Sequence, residues 1–376
     1  MTDSHQAKSP IRVSYLCLDA ARQGQASHAH VHEIANGLRR RGWDVTLFEP
    51  AYAVACKSPS IRQRAVGFLM AQLRLCRQLR NTDVVYVRSH FAAFPTTLSA
   101  RLFRIPIIHE INGPYEDIFT AWPWTRRIAP LFRWLVRTQY CVADALITVT
   151  SLLESWVRDQ GIDTPIHVIP NGANTDLFTP QSEATDDVGS PYVVFFGALT
   201  AWQGIDLLIE AAESAHWPPE VKLVIIGDGA KRRRVEEASR ISRRVIYLGQ
   251  LPYRAVPGIV ARSIAGLVPK SHPQGWSATG LSPLKLFETL ACGVPAIVTD
   301  WPGQSDLVRE HRCGLVVRPD DPIDLARAVA HLYEDAEKRQ AMGRRGREII
   351  VQEHSWDLRA GDTARVLIQT LRREAE

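Results

Sequence analysis

Short apolar runs alternate with amphipathic stretches along most of the chain. The first unit joins a β-like run at 11–18 to a helix with apolar residues at helical spacing over 31–38, followed by a second β-like run at 43–48. This strand–loop–helix–strand order predicts a doubly wound α/β domain. In such sheets, ligands bind beyond the carboxyl ends of the strands.

A polar segment at 178–190 interrupts this alternation, which then resumes with the apolar run Y-V-V-F-F-G. A chain of 376 residues is long enough for two domains of ordinary size. We therefore predict an N-terminal domain over 1–180 and a C-terminal domain over 190–355. The last helix, about 356–376, is expected to pack back on the first domain.

Composition indicates a protein that works in the cytoplasm. The cysteines are scattered without a C-x-x-C pair, and the N-terminus lacks the apolar core of a signal peptide. Apolar runs are too short for a membrane-spanning helix. The net charge is +7 over 1–170 and −2 over the remainder, so the N-terminal half is the part suited to an anionic partner.

The stretch 277–300 carries the clearest chemistry and reads as a loop, a helix and a buried strand. Ser282 is expected to cap the helix, Pro283 to occupy its first position and Gly293 to end it. The free N–H groups at a helix start favour an anion.

The residues at this helix start predict a nucleotide site. Gly280, Leu281 and Ser282 would bring the backbone close to a phosphate, and Lys285 would add a positive charge. Glu288, one turn later, could accept hydrogen bonds from ribose hydroxyls. The alternative is an ordinary capped helix with a Lys–Glu pair on its surface.

The run S-P-L-K-L-F-E-T-L-A-C-G-V-P-A-I at 282–297 resembles the donor-binding signature of family 4 glycosyltransferases. These are retaining enzymes with the GT-B fold. The resemblance implies two doubly wound Rossmann-like domains facing across a cleft, the first binding the acceptor and the second a nucleotide sugar. Glu288 matches the glutamate that holds the ribose. A second family glutamate, which contacts the transferred sugar, would fall at Gly280 and is absent.

The loop after the second domain's first strand departs most from the family. Members often have an arginine and a lysine for the pyrophosphate where this chain has Ala198 and Gln203. We expect Lys285 and Lys270 to neutralise the phosphates instead.

Other donor contacts follow from the same resemblance. Gly197 and Gly227 end strands beside the donor, and the backbone of Gly249, Gln250 and Leu251 is expected to hold the base.

Fewer residues of the first domain match the family. Gly24 and Gln25 lie in the loop where members keep a glycine-rich turn. Arg88, at a strand end, is a candidate anion contact on the acceptor side. The alternative for Arg88 is a salt bridge to a neighbouring acid.

A catalytic group is predicted at 109–112. Asn112 stands where the family often has a histidine that touches the transferred sugar. Asn112, Glu110 and His109, with Lys285 from the other domain, are the candidate catalytic residues. His109 could instead point into the core from the other strand face.

No metal site is predicted. The chain has no D-x-D motif, and His28, His30 and His32 are spaced so that they do not converge on one helix face. We expect a transferase that needs no metal and no cofactor.

Two basic segments, 60–80 and 121–140, combine arginine with apolar and aromatic residues. This composition suits peripheral contact with anionic lipid at the inner face of a membrane. The alternative is a pair of helices packed on the sheet with solvated arginines. No nucleic-acid recognition motif accompanies the charge.

The sequence thus predicts transfer of a sugar from a nucleotide diphosphate, favouring uridine, to an acceptor hydroxyl with retention. The expected acceptor is a lipid-linked saccharide used in surface polysaccharide or glycolipid synthesis. The departures at Gly280, Ala198 and Gln203 leave open a non-catalytic subunit that binds a nucleotide sugar and activates a partner. A dehydrogenase is disfavoured because no G-x-G-x-x-G follows the first strand.

Overall fold

A computed structural model describes residues 10–19, 26–51, 59–183, 188–189, 191–271 and 279–373. Its strands form two parallel sheets. The first sheet contains β1 (Arg12–Cys17), β2 (Asp44–Phe48), β3 (Val84–Arg88), β4 (Ile107–Ile111), β5 (Ala145–Thr148) and β6 (Ile166–Val168). The second contains β7 (Tyr192–Phe196), β8 (Lys222–Ile226), β9 (Val245–Gly249), β10 (Gly266–Val268), β11 (Ala296–Thr299) and β12 (Gly314–Val317).

Helices flank both sheets. Those of the first half are α1 (Ala26–Arg40), α2 (Ile61–Gln78), α3 (Phe94–Leu102), α4 (Asp117–Ala121), α5 (Ala129–Val142) and α6 (Ser151–Asp159). Those of the second half are α7 (Ile205–Glu213), α8 (Arg232–Ile241), α9 (Val256–Ala261), α10 (Leu284–Ala291), α11 (Gln304–His311), α12 (Pro322–Glu334), α13 (Ala336–Glu353) and α14 (Trp356–Arg373). Within the described part of the chain, no helix is long and apolar enough to cross a bilayer.

Each sheet has one point where the strand order reverses. The orders are β2-β1-β3-β4-β5-β6 and β12-β11-β10-β7-β8-β9, so the reversals fall between β1 and β3 and between β7 and β10. Doubly wound sheets bind ligands in the crevice at such a point. The two-domain Rossmann-like architecture is therefore as predicted, and each domain has one ligand crevice.

The strands are buried on both faces because helices cover both sides of each sheet. All five residues of β7 and of β4 are buried, which explains why these strands read as nearly continuous apolar runs. A polar side chain in such a strand needs a buried partner.

The last helix returns to the first domain, where α14 packs against α1. Gly37 makes the close approach possible, because a Cβ atom there would lie 2.3 Å from the Ala360 Cβ. Trp356, at the start of α14, is fully buried, and the ring centroid of His30 lies 4.9 Å from its own.

Candidate functional site

Two glycines in close contact, one after β7 and one after β8, line the crevice of the second sheet. Gly197 follows β7 with φ 133° and Gly227 follows β8 with φ 140°. A Cβ atom on Gly227 would lie 1.8 Å from the Gly197 carbonyl oxygen, so only glycine fits. The Gly227 carbonyl accepts a hydrogen bond from Tyr247 Oη at 2.8 Å.

Helix α10 borders this crevice, but its start differs from the prediction. Pro283 is the N-cap residue and no side chain caps the first turn. Ser282 Oγ instead accepts from the Asn171 backbone N–H at 3.2 Å. Gly280 has φ 68°, and Gly293, with φ 70°, ends the helix as expected.

Lys285 lies inside the crevice and is only 8% exposed. Its Nζ donates to Gln203 Oε1 at 2.9 Å and lies 3.7 Å from the centroid of the Phe195 ring. Burial, and then the charge of Lys270, lower the pKa of this ammonium well below its usual value. A surface Lys–Glu pair is therefore the wrong interpretation, and an anion bound here would recover the lost solvation.

Lys270 is the second buried cation of the crevice. Its backbone N–H donates to Thr299 Oγ1 at 2.8 Å, and its carbonyl accepts from Trp301 Nε1 at 2.9 Å. Burial lowers the pKa of Lys270 to about 8. Two buried lysines at a strand-order reversal have the charge and the position that suit a polyanion such as pyrophosphate.

Glu288 lies on the same helix as Lys285 and is 5% exposed. Its Oε1 accepts a hydrogen bond from Tyr253 Oη at 2.8 Å. Burial raises the pKa of this carboxyl to about 7. Tyr253 could not be predicted from the sequence, because its contact with Glu288 joins residues on separate elements.

The three residues expected to hold the base lie at the end of β9, where Gly249 is the last residue of the strand. Gly249 has φ 69°, and its carbonyl accepts from the Gly227 N–H at 2.8 Å. Gln250 and Leu251 continue this loop toward Tyr253. The residues expected to hold the base and Tyr253, which donates to Glu288, therefore belong to one short segment.

In the first domain, Glu110 lies at the centre of a buried polar cluster. Its Oε1 accepts from Asn112 Nδ2 at 2.6 Å and lies 2.9 Å from His30 Nε2 and 3.0 Å from Arg88 Nη1. Tyr86 Oη donates to Oε2. Burial alone would raise the pKa of this carboxyl, but the charges and donors around it hold the pKa well below its usual range.

This cluster fixes the orientation of Asn112. Because one N–H of Nδ2 donates to Glu110, the amide oxygen and the second N–H of Asn112 are left for a ligand. Both carboxylate oxygens of Glu110 already contact protein groups, and the side chain is only 2% exposed. Glu110 is therefore a positioning residue rather than the catalytic group that was predicted.

His109 lies on the other face of β4, so its expected catalytic role is wrong. The side chain is fully buried, and its Nε2 is 3.1 Å from Thr97 Oγ1. Burial lowers the pKa of this imidazole to about 3. His109 is a neutral core residue.

Arg88 forms the salt bridges that were the alternative to an anion contact. Its Nε donates to Asp19 Oδ2 at 2.8 Å and its Nη1 donates to Glu110. Asp19, which sequence reasoning missed, follows β1 and therefore faces Arg88 across the strand-order reversal. Gly24 and Gln25 lie outside the described residues.

A hydrogen-bonded relay joins this cluster to α10 across the two domains. His30 Nδ1 contacts Asn171 Oδ1 at 2.8 Å, and Asn171 Nδ2 donates to the Ser282 carbonyl at 2.6 Å. His30 thus bridges Glu110, which its Nε2 contacts at 2.9 Å, and Asn171. The sequence signal was the I-P-N-G turn containing Asn171.

Comparison with known proteins identifies the family of this chain. Residues 27–177 match the family model described as Glycosyltransferase Family 4, and residues 180–349 match Glycosyl transferases group 1. Alpha-maltose-1-phosphate synthase of Mycolicibacterium smegmatis is 25% identical, over 87% of this chain and 91% of its own.

Two further proteins show the range of the similarity. GDP-mannose-dependent alpha-(1-6)-phosphatidylinositol monomannoside mannosyltransferase of the same species is 27% identical over 57% of this chain and 59% of its own. The crystal structure of Anabaena HepE in complex with UDP-glucose superposes with a TM-score of 0.70 at 17% identity, covering 96% of this chain and all of that one.

Proposed function

This chain belongs to the family 4 glycosyltransferases, and from that premise we propose that it transfers a sugar from a nucleotide diphosphate to an acceptor hydroxyl with retention of configuration. The observation that carries the proposal is the pair of buried ammonium groups, Lys285 and Lys270, beside the buried carboxyl of Glu288. A nucleotide sugar would place its pyrophosphate at the two lysines and its ribose at Glu288.

In the proposed reaction, the acceptor oxygen bonds to the anomeric carbon as the bond from that carbon to the β-phosphate oxygen breaks. The acceptor attacks from the face that the diphosphate leaves, so retention needs no carboxylate nucleophile. The acceptor proton passes to the leaving phosphate, so no separate general base is needed. Lys285 and Lys270 stabilise the negative charge that develops on the diphosphate. We propose that this charge pair replaces a divalent metal.

Asn112 faces the sugar from the first domain in this proposal. Its amide oxygen accepts from a sugar hydroxyl, while Glu110 holds its Nδ2. The relay through Asn171 to Ser282 keeps Asn112 in register with the donor helix. Asn112 therefore positions the sugar but does not act as a base.

We further propose a lipid-linked saccharide as acceptor and a working position at the inner face of an anionic membrane. The supporting observation is a surface of the first domain that exposes large apolar side chains among arginines. Its exposed apolar residues are Ile61, Val66, Leu69, Met70, Leu73, Trp122, Trp124, Ile128, Leu131 and Trp134. The named acceptor of the mannosyltransferase relative is itself a lipid.

A thermal-shift screen tests the donor site. We expect UDP or a UDP-sugar to stabilise the wild type at pH 7.5, where the Glu288 carboxyl, with its pKa near 7, is mostly ionised. Ligand at 100 times its dissociation constant contributes about 2.7 kcal/mol. Glu288→Ala should abolish the shift, whereas Glu337→Ala on the exposed face of α13 should keep it. No shift with UDP, GDP or their sugars would contradict the proposed function.

Liposome flotation tests the membrane contact. Arg133 and Arg137 donate to Tyr115 Oη and to the Gln160 carbonyl, so the informative charges are the exposed Arg126 and Arg127. We expect the wild type to float with phosphatidylglycerol vesicles, and Arg126→Gln with Arg127→Gln to reduce the bound fraction several-fold.

The charge-matched control for flotation is Arg232→Gln with Arg233→Gln on α8 of the second domain. This control should float like the wild type. Equal flotation of the two double variants, or no flotation of the wild type, would remove the membrane contact from the proposal.

A further inference from the structure

A groove of about 660 Å³ opens in the first domain beside the strand-order reversal. This volume lies within the roughly 300–1,000 Å³ typical of small-molecule sites. One end is polar, with Asp19, Arg88 and Asn112, and the walls are largely aromatic, including Phe68 and Trp122. The groove therefore suits a ligand with a polar end and an apolar body.

Helix α2 forms one wall because its core-facing stripe extends beyond the core. In the second half of the helix this stripe is buried, as at Leu75. In the first half, Ile61, Ala65 and Phe68 continue the same stripe at helical spacing and line the groove. The apolar stripe of α2 therefore extends beyond the core: Phe68 packs on the ring of His90, and Ile61 is exposed.

A second stripe of α2 points away from the groove into solvent. Val66, Leu69, Met70 and Leu73 lie at helical spacing and are all exposed. The same helix also carries four arginines, and this combination of apolar and basic side chains suits the surface of an anionic membrane. The groove wall is therefore continuous with the surface proposed above to contact lipid.

The polar end of the groove leads to the donor site. Asn112 is hydrogen-bonded to Glu110, and Glu110 connects through His30 and Asn171 to Ser282 at the start of α10. A ligand lying along the groove thus has its polar end near the transferred sugar. Its apolar body is directed toward the exposed outer stripe of α2.

We propose that this groove binds the apolar chain of the lipid-anchored acceptor, with the accepting sugar at the Asp19–Arg88–Asn112 end. This inference rests on the proposed function and identifies the part of the acceptor that the enzyme recognises besides its sugar. The acceptor then enters from the membrane without leaving it completely, and a free saccharide is a poor substrate.

Calorimetric titration with n-alkyl β-D-glucosides, each below its critical micelle concentration, tests the groove directly. Each methylene buried is expected to tighten binding about fourfold, so octyl should bind about 16-fold tighter than hexyl. Glucose alone should show no measurable binding. Equal affinity for all chain lengths would overturn the proposal.

Two adjacent positions on α2 give a matched pair of variants. Ala65→Trp fills the groove from an exposed position, whereas Val66→Trp adds the same side chain to the outer stripe. We expect Ala65→Trp to abolish the chain-length dependence and Val66→Trp to preserve it. Ile61→Asp, at another exposed position of the groove wall, should weaken octyl glucoside binding at least tenfold without disturbing the core.

The remaining outcomes separate the groove from the donor site. Ala65→Trp and Ile61→Asp should keep the thermal shift with the donor nucleotide, because neither residue lies in the second domain. If the wild type binds alkyl glucosides but no nucleotide, the proposed function fails and the groove stands. If chain-length dependence survives in Ala65→Trp and Ile61→Asp, the groove proposal fails while the donor site stands.

Discussion

Lys285→Met should weaken donor binding well over tenfold and lower kcat by about 10²–10³-fold, the usual cost of removing one group that stabilises developing charge. The same variant should melt at or above the wild-type temperature without ligand. The free protein bears the desolvation of a buried ammonium beside a second cation, Lys270, and methionine fills similar space without that penalty. Calorimetric titration and a thermal melt measure the two effects.

A second substitution tests whether donor affinity depends on the positive charge of Lys285 or on the shape of its side chain. Lys285 Nζ touches Gln203 Oε1, and the family resemblance places a lysine where Gln203 stands. Gln203→Lys combined with Lys285→Met should therefore recover part of the donor affinity. Lys338→Met, on the exposed face of α13, is the control and should change neither quantity. Unchanged donor affinity in Lys285→Met would contradict the assignment of this residue.

Glu110→Gln should lower the free energy of unfolding by about 3–5 kcal/mol, although the two side chains are nearly the same size. Arg88, His30, Asn112 and Tyr86 all donate toward this carboxylate. Glutamine removes the negative charge and directs an amide N–H at one of these donors. Removing one partner of a buried ion pair leaves the other charge uncompensated, which accounts for the magnitude. Urea unfolding followed by fluorescence measures it.

The exposed pair of Arg309 Nη2 and Asp300 Oδ2, 2.7 Å apart, provides the control for Glu110. Asp300→Asn should cost at most about 1 kcal/mol, because exposed ion pairs contribute little. A cost for Glu110→Gln no larger than that of Asp300→Asn would contradict the role of the cluster. Arg88→Met in the Glu110→Gln background should recover part of the loss.

The effect of Glu110 also has a defined pH dependence. Its folded pKa lies below the unfolded value of about 4.3. The stabilisation is therefore fully present above that value and is lost as the pH falls through the folded pKa. The difference between wild type and Glu110→Gln should narrow in strong acid.

Local chemistry made the second domain predictable. Lys285 and Glu288 lie three residues apart on one helix, so they share a face whatever surrounds them. Gly293 ends that helix because its φ of 70° suits glycine. The doubly wound fold follows from the alternation of strand and helix periods, which is also a local property. The family signature consists of these same short segments.

The sequence by itself determined the order of strands and helices, the family and the residue types of the proposed donor site. Only the tertiary structure decided that β4 turns Glu110 toward the polar cluster and His109 into the core. Strand alternation places the two side chains on opposite faces of the sheet, but it does not determine which face meets the polar cluster. The relay from His30 to Ser282 and the groove beside α2 join segments far apart in the chain. Such contacts depend on how whole elements pack, and the pattern within one element does not contain that information.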